Sequence, residues 1–187
     1  MNRARRALLG VLAGLAGATI VRADNAHAAS AHQINLDADR ALRALYAAHP
    51  KARELGDHAK AILIFPKIIK AGLIIGGQGG DGVLRIGGKT AGYYNIAAAS
   101  FGLQAGAQRF SYVLFFMTDS ALKYLQDSDG WAIGSGPSVV VMDKGAAASL
   151  TSTTLSQDVY AFPFSQHGLM AGIGLEGSKI TRIQPGR

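Results

Sequence analysis

Residues 61–86 read Ala-Ile-Leu-Ile-Phe-Pro-Lys-Ile-Ile-Lys-Ala-Gly-Leu-Ile-Ile-Gly-Gly-Gln-Gly-Gly-Asp-Gly-Val-Leu-Arg-Ile. Three short apolar runs, Ile62–Phe65, Leu73–Ile75 and Val83–Ile86, are separated by proline, lysine, glycine and aspartate. That grammar is of strands rather than helices. It continues downstream in Tyr93–Ala99, Tyr112–Met117, Val139–Met142, Val159–Phe164 and Leu169–Leu175, which makes seven or eight strands. The connections are too short for repeated helical crossovers, so the sheet is expected to be largely antiparallel.

Upstream the period is different. Between Leu36 and Tyr46 the apolar positions Ala38, Ala41, Leu42, Leu45 and Tyr46 recur every three or four residues, with Asp37, Asp39, Arg40 and Arg43 between them. This is an amphipathic helix. His49-Pro50 breaks it, and Pro50 is placed to open a second helix running to about Lys60 with Leu55 and Ala59 inward. Thr118-Asp119-Ser120 is placed to cap a further turn or two carrying Ala121, Leu122 and Leu125. The expected fold is α+β: N-terminal helices on a strongly curved, mostly antiparallel sheet or partial β-barrel.

The chain has 187 residues, 49% of them apolar and 17% charged, which excludes a disordered tail or a charged helical rod. Twenty-four glycines without a Gly-X-Y period favour a glycine-rich β-structure and exclude collagen. With no cysteine there is no disulfide framework, thiol nucleophile or lipobox. The formal charge is +7, but part of it lies at the start. Arg3, Arg5 and Arg6 precede the uncharged run Ala7–Val21 and the small-residue sequence Ala26-His27-Ala28-Ala29. This has the three parts of a secretory signal peptide, and the run is short of the roughly 20 residues that span a bilayer. The expectation is a signal peptide over residues 1–28, cleavage near Ala28, and one domain over 29–187, periplasmic or secreted. Of the 19 basic and 12 acidic residues, 15 and 11 then remain. That modest excess suits an anionic membrane surface better than nucleic acid.

Enzyme motifs are absent at the specificity chemistry needs. Gly77-Gln78-Gly79-Gly80-Asp81-Gly82 has the letters of a dinucleotide fingerprint, but that site needs a helix to follow, and Val83–Ile86 is a strand. The reading is a glycine-rich hairpin. Ile133-Gly134-Ser135-Gly136-Pro137 lacks the residue that a nucleophile elbow has between glycine and serine. His32, His49, His58 and His167 have no metal-ligand spacing. Glu176, at a strand end, is placed to hold a turn or pair with Lys179. No catalytic residue, metal or cofactor is expected.

Two strands carry glycine on one face: Gly102, Gln104, Gly106 and Gln108 in one, Met170, Gly172, Gly174 and Glu176 in the other. Such a face bends sharply or lets another element approach the backbone, either the N-terminal helices or a bound acyl chain. Phe65-Pro66-Lys67-Ile68-Ile69-Lys70-Ala71-Gly72 reads in two ways. As an exposed loop it offers an apolar wedge and a cationic pair to a phospholipid interface; as a strand approach it puts both isoleucines in the core. On the first reading Lys67, Ile68, Ile69 and Lys70 are candidate lipid contacts, with Arg85 and Lys89 as further cations.

These segments together resemble the SYLF family, a lipid-binding domain shared by bacterial exported proteins and eukaryotic membrane-remodelling and actin-patch proteins. The resemblance is carried by Ala59–Pro66 with Lys70-Ala71-Gly72, by Gly76–Gly82 leading into Val83-Leu84, by Phe101–Gln108, by Val113–Met117 and by Gly168–Ser178. It runs from about His32 to Ile183. It implies binding of membrane phospholipid without known catalysis. For an exported bacterial protein the expected partners are anionic phospholipids such as phosphatidylglycerol, cardiolipin or phosphatidic acid.

Overall fold

A computed structural model describes residues 30–72, 75–101, 106–142, 156–168 and 177–186. Helix α1 spans Ala31–Ala48, five residues earlier at its start than the apolar period alone places it. Ser30 is the reason: its side chain accepts from the Gln33 amide, an N-cap that lets Ile34 join Ala38 and Leu45 on the buried stripe. Pro50 opens α2 (Pro50–His58), where Ala52 and Leu55 are buried.

Strands β1 (Ala61–Gly72), β2 (Ile75–Ile86), β3 (Lys89–Phe101) and β4 (Gly106–Phe116) follow, then α3 (Asp119–Asp127), β5 (Trp131–Ala132), β6 (Val139–Val141), β7 (Val159–Gly168) and β8 (Lys179–Ile183). They form one sheet in the order β5-β8-β3-β2-β1-β4-β7-β6. Its pairs are antiparallel except β6 with β7, which is parallel. Strands β5 and β8 were not expected from the sequence. Leu73 and Ile74 and the expected strand Leu169–Leu175 lie outside the described residues, as do Gly172 and Glu176.

The sheet is rolled. The Phe116 ring on β4 lies 5.9 Å from the Trp131 ring on β5, five places away in the strand order, where a flat sheet would separate them by ~24 Å. Side chains alternate accordingly between two cores. Leu63, Phe65, Phe110, Tyr112, Leu114, Phe116, Tyr94, Ile96 and Ile180 fill the inside, closed by Ala121 and Leu125 of α3. Ile64, Val83, Val113, Phe115 and Phe162 face outward under Ile34, Ala38, Leu45, Ala52 and Leu55. On the described part of the first glycine-bearing strand, Gln108 is buried and shares the inward face of Phe110. The helices cover the opposite face, so the expectation that they lie on that glycine face does not hold there.

The glycine run 77–82 is also corrected. It is the middle of β2, with 77–79 paired to both neighbours and 80–82 paired to β3 beside the β1 bulge, and the hairpin turn is Gly87-Gly88, both at positive φ between the paired Ile86 and Lys89. Gly80 and Gly82 are needed because β1 presses on them: a Cβ at Gly82 would overlap the Ile64 carbonyl oxygen and the Phe65 ring, and one at Gly80 the Lys67 carbonyl oxygen.

At the other end of the sheet, Asp158 joins three segments. Its carboxylate accepts from the Ser138 amide and hydroxyl, each at 3.0 Å, and from the Thr118 hydroxyl at 3.1 Å. These bonds, the Ser138 amide foremost, hold its pKa below the ordinary carboxylate value. The stabilisation is therefore present above about pH 4 and is lost as pH falls through the lowered value. Asp158→Asn is expected to flatten the acid limb of a melting-temperature profile between about pH 4 and 2, and an unchanged limb would contradict this.

Candidate functional site

Pro66 decides which side chains reach the surface. It stands in a central strand, where its missing N–H is tolerated only at a bulge. The register with β4 runs Phe65 to Tyr112 and then Ile68 to Phe110, and that with β2 runs Ile64 to Val83 and then Ile69 to Gly79. In both, β1 has one extra residue at Pro66-Lys67, and the Ser111 hydroxyl donates to the Pro66 carbonyl at 2.7 Å. One inserted residue exchanges the faces of everything beyond it. Ile68 is therefore fully buried, Lys70 is only 8% exposed, Lys67 is exposed and Ile69 is 48% exposed.

The segment is thus a strand, as on the second reading, but only one of its two isoleucines is in the core, and the cationic pair is split. Lys67 and Ile69 share the outer face; Ile68 and Lys70 point inward, where Gln108 opposes Lys70 in register. Substituting Ile68 by serine is expected to cost about 3 to 5 kcal/mol and to lower the melting temperature sharply, whereas Ile69→Ser should melt with the wild type.

On the outer face Ile69, Arg109 and His167 form a row across β1, β4 and β7, each directly opposite the next. A second bulge, in β7, lies between the Arg109–His167 and Ser111–Phe164 pairs and contains Ser165 at φ 53. The two bulges flank β4 at the same level and open a groove of about 460 Å³ beneath α1. Its rim carries Arg40, Lys67, Arg109 and Asp37 as charged groups, with His167 beside them. Asp37 is paired with Arg40 at 3.0 Å. Among the described residues neither Lys67 nor Arg109 has an ion-pair partner. Around Ile69 the outer face carries small residues, the exposed Ala71, Ala97, Ala99, Ala107 and Gly77, so Ile69 projects from it, and the row ends at the exposed Lys179 opposite Ala97.

Arg85 and Lys89 are not brought to this groove. Arg85 lies opposite Ile62, seven residues along β1 from Ile69, or ~23 Å. Its guanidinium donates to Asp39 at 2.7 Å, Asn35 at 3.1 Å and the Gly88 carbonyl at 3.3 Å, while Asn35 also donates to the Tyr93 hydroxyl at 2.7 Å. This network clamps α1 to the β2–β3 hairpin. Arg85→Met is expected to lower stability by about 1 to 3 kcal/mol in denaturant titration. Lys89 is exposed beside the same hairpin turn. A cavity of about 360 Å³ next to the clamp has balanced charges, Asp39 and Asp57 against Lys60 and Arg85. Inside the roll, burial pushes the Tyr112 hydroxyl pKa up, and among the described residues that hydroxyl has no hydrogen-bond partner.

Arg109 and His167 were not singled out from the sequence as contacts. The signal for the groove was Pro66, whose position inside an apolar strand marks the bulge. A family model described as Ysc84, Las17-binding protein actin regulator, matches residues 97–184. The matched segment includes Arg109 and His167, and Lys67 and Ile69 precede it. No curated protein matches the chain.

Proposed function

We propose that this chain, whose residues 97–184 match that family model, is a non-enzymatic protein that docks peripherally on anionic phospholipid membranes. The observation that carries the reading is the exposed Ile69 set beside Lys67 and Arg109 among small residues of the outer face. An apolar side chain entering the acyl boundary and cations meeting phosphates reinforce one another. The balanced cavity at Arg85 offers no such excess of charge.

The reading extends to location. Residues 1–28 act as a cleaved export signal, and the mature domain works at a bacterial envelope, where phosphatidylglycerol and cardiolipin are the anionic lipids it meets. The family description also names a protein partner, which favours a second reading, an interaction protein that uses the same cationic face for an acidic protein surface.

Co-sedimentation with vesicles separates the two. The protein is expected to pellet with phosphatidylcholine vesicles containing phosphatidylglycerol, to remain in solution with phosphatidylcholine alone, and to bind less as salt rises, because exposed charges are screened over about 8 Å at physiological salt. Equal indifference to both vesicle types would overturn the membrane reading and leave the second.

A further inference from the structure

We infer that His167 is a proton-dependent ligand for the anion held in the outer groove, so that anion binding there strengthens as pH falls; the inference rests on reading that groove as an anion-binding face. The geometry is local to the β7 bulge. Ser165, at φ 53, turns its carbonyl oxygen to within 2.8 Å of His167 Nδ1. A carbonyl can only accept, so the proton of the neutral imidazole stands on Nδ1 and Nε2 carries a lone pair. The neutral ring thus offers a bound anion an acceptor, which is a mismatch. A second proton makes Nε2 a charged donor.

The groups that face the ring come from each neighbouring element. Arg109 is its direct partner on β4, Lys67 stands beyond it at the β1 bulge, and α1 contributes Arg40 and its ion-pair partner Asp37. An anion gathered by Lys67 and Arg109 attracts the proton on His167, and by linkage the proton strengthens the anion's binding by the same factor. An imidazole ordinarily changes charge between pH 5 and 8, the range in which this effect would operate. One added cation at an anionic surface corresponds to about a fivefold gain in affinity.

Two probes of constant charge test this on the full chain. The phosphodiester of phosphatidylglycerol stays singly charged between about pH 5.5 and 7.5, so any change in vesicle binding arises in the protein. Wild type is expected to bind such vesicles about fivefold more tightly at the lower pH. His167→Gln should bind equally at both, and His167→Arg should bind tightly at both. His167 is exposed, and matching melting temperatures will show that the variants fold. Wild-type binding that ignores pH, or a pH response undiminished in His167→Gln, would overturn the inference.

Sulfate, a dianion throughout this range, supplies the second arm. It should raise the midpoint of the His167 ring titration followed by NMR. A raised midpoint in a protein that binds no vesicle at any pH would sustain the inference while the membrane reading alone fails. A ring unmoved by sulfate and by vesicles alike would overturn the inference.

Discussion

Replacing Gly82 by alanine is expected to destabilise the protein by about 3 kcal/mol, at the upper end of what one added methyl does in a packed interior. The added Cβ would overlap the Ile64 carbonyl oxygen and the Phe65 ring. The first is backbone in the strand at the centre of the sheet, and the second is a fully buried ring held by the inner core, so neither can move away cheaply. Gly80→Ala should behave alike, since the Lys67 carbonyl occupies the space above it. The internal controls are Gly77 and Gly79 in the same strand. A Cβ at Gly77 would meet nothing nearer than the Ala98 carbonyl at 3.6 Å, and one at Gly79 nothing nearer than the Ile96 carbonyl at 3.5 Å, both ordinary contacts. There alanine should be neutral or stabilise by about 0.5 kcal/mol through the unfolded chain. Urea titration of the four variants is the measurement; equal effects at all four would contradict the close approach of β1 to β2.

The largest effect on binding is expected from reversing charge at the groove. Lys67→Glu with Arg109→Glu removes two attractions of about 1 kcal/mol each and introduces two repulsions, so affinity for phosphatidylglycerol vesicles should fall well over tenfold. Both side chains are exposed, so the double variant should melt near the wild type. Lys89→Glu, at the distant hairpin turn, should lower binding severalfold at most. Lys70→Glu is a different experiment, because that side chain lies inside the roll, and its expected consequence is lost stability. A stable double variant that binds like wild type would remove the groove from the account.

What could be read from the sequence was local. The helices follow from capping and period: Thr118 accepts from the Ala121 amide, and Ala121 and Leu125 are buried as their spacing requires. The antiparallel sheet as a class followed from short apolar runs with short connections, and its curvature from the glycine-bearing strand faces. The faces beyond Pro66 did not, because one inserted residue reverses them and the bulge is fixed by pairing with β2 and β4. The glycines of 77–82 resemble a turn because their actual reason, the pressure of β1, is a tertiary contact. Strand β8 is short, polar at three of its five positions and paired with Tyr93–Ala97 more than 80 residues away, beyond the reach of any local pattern. The groove depends on all of these, since its residues come from three strands and a helix brought together by two bulges.

The most direct measurement exploits the absence of cysteine from the chain. A single Ile69→Cys variant carries an environment-sensitive fluorophore at the tip of the proposed contact, and Tyr124→Cys carries it on the exposed side of α3, near the opposite end of β1. With phosphatidylglycerol vesicles the probe at position 69 should shift to the blue and become shielded from an aqueous quencher, while that at 124 should not change. With phosphatidylcholine vesicles neither should respond. A probe at 69 that stays in water while the protein is bound, or one at 124 that responds equally, would contradict docking through this face.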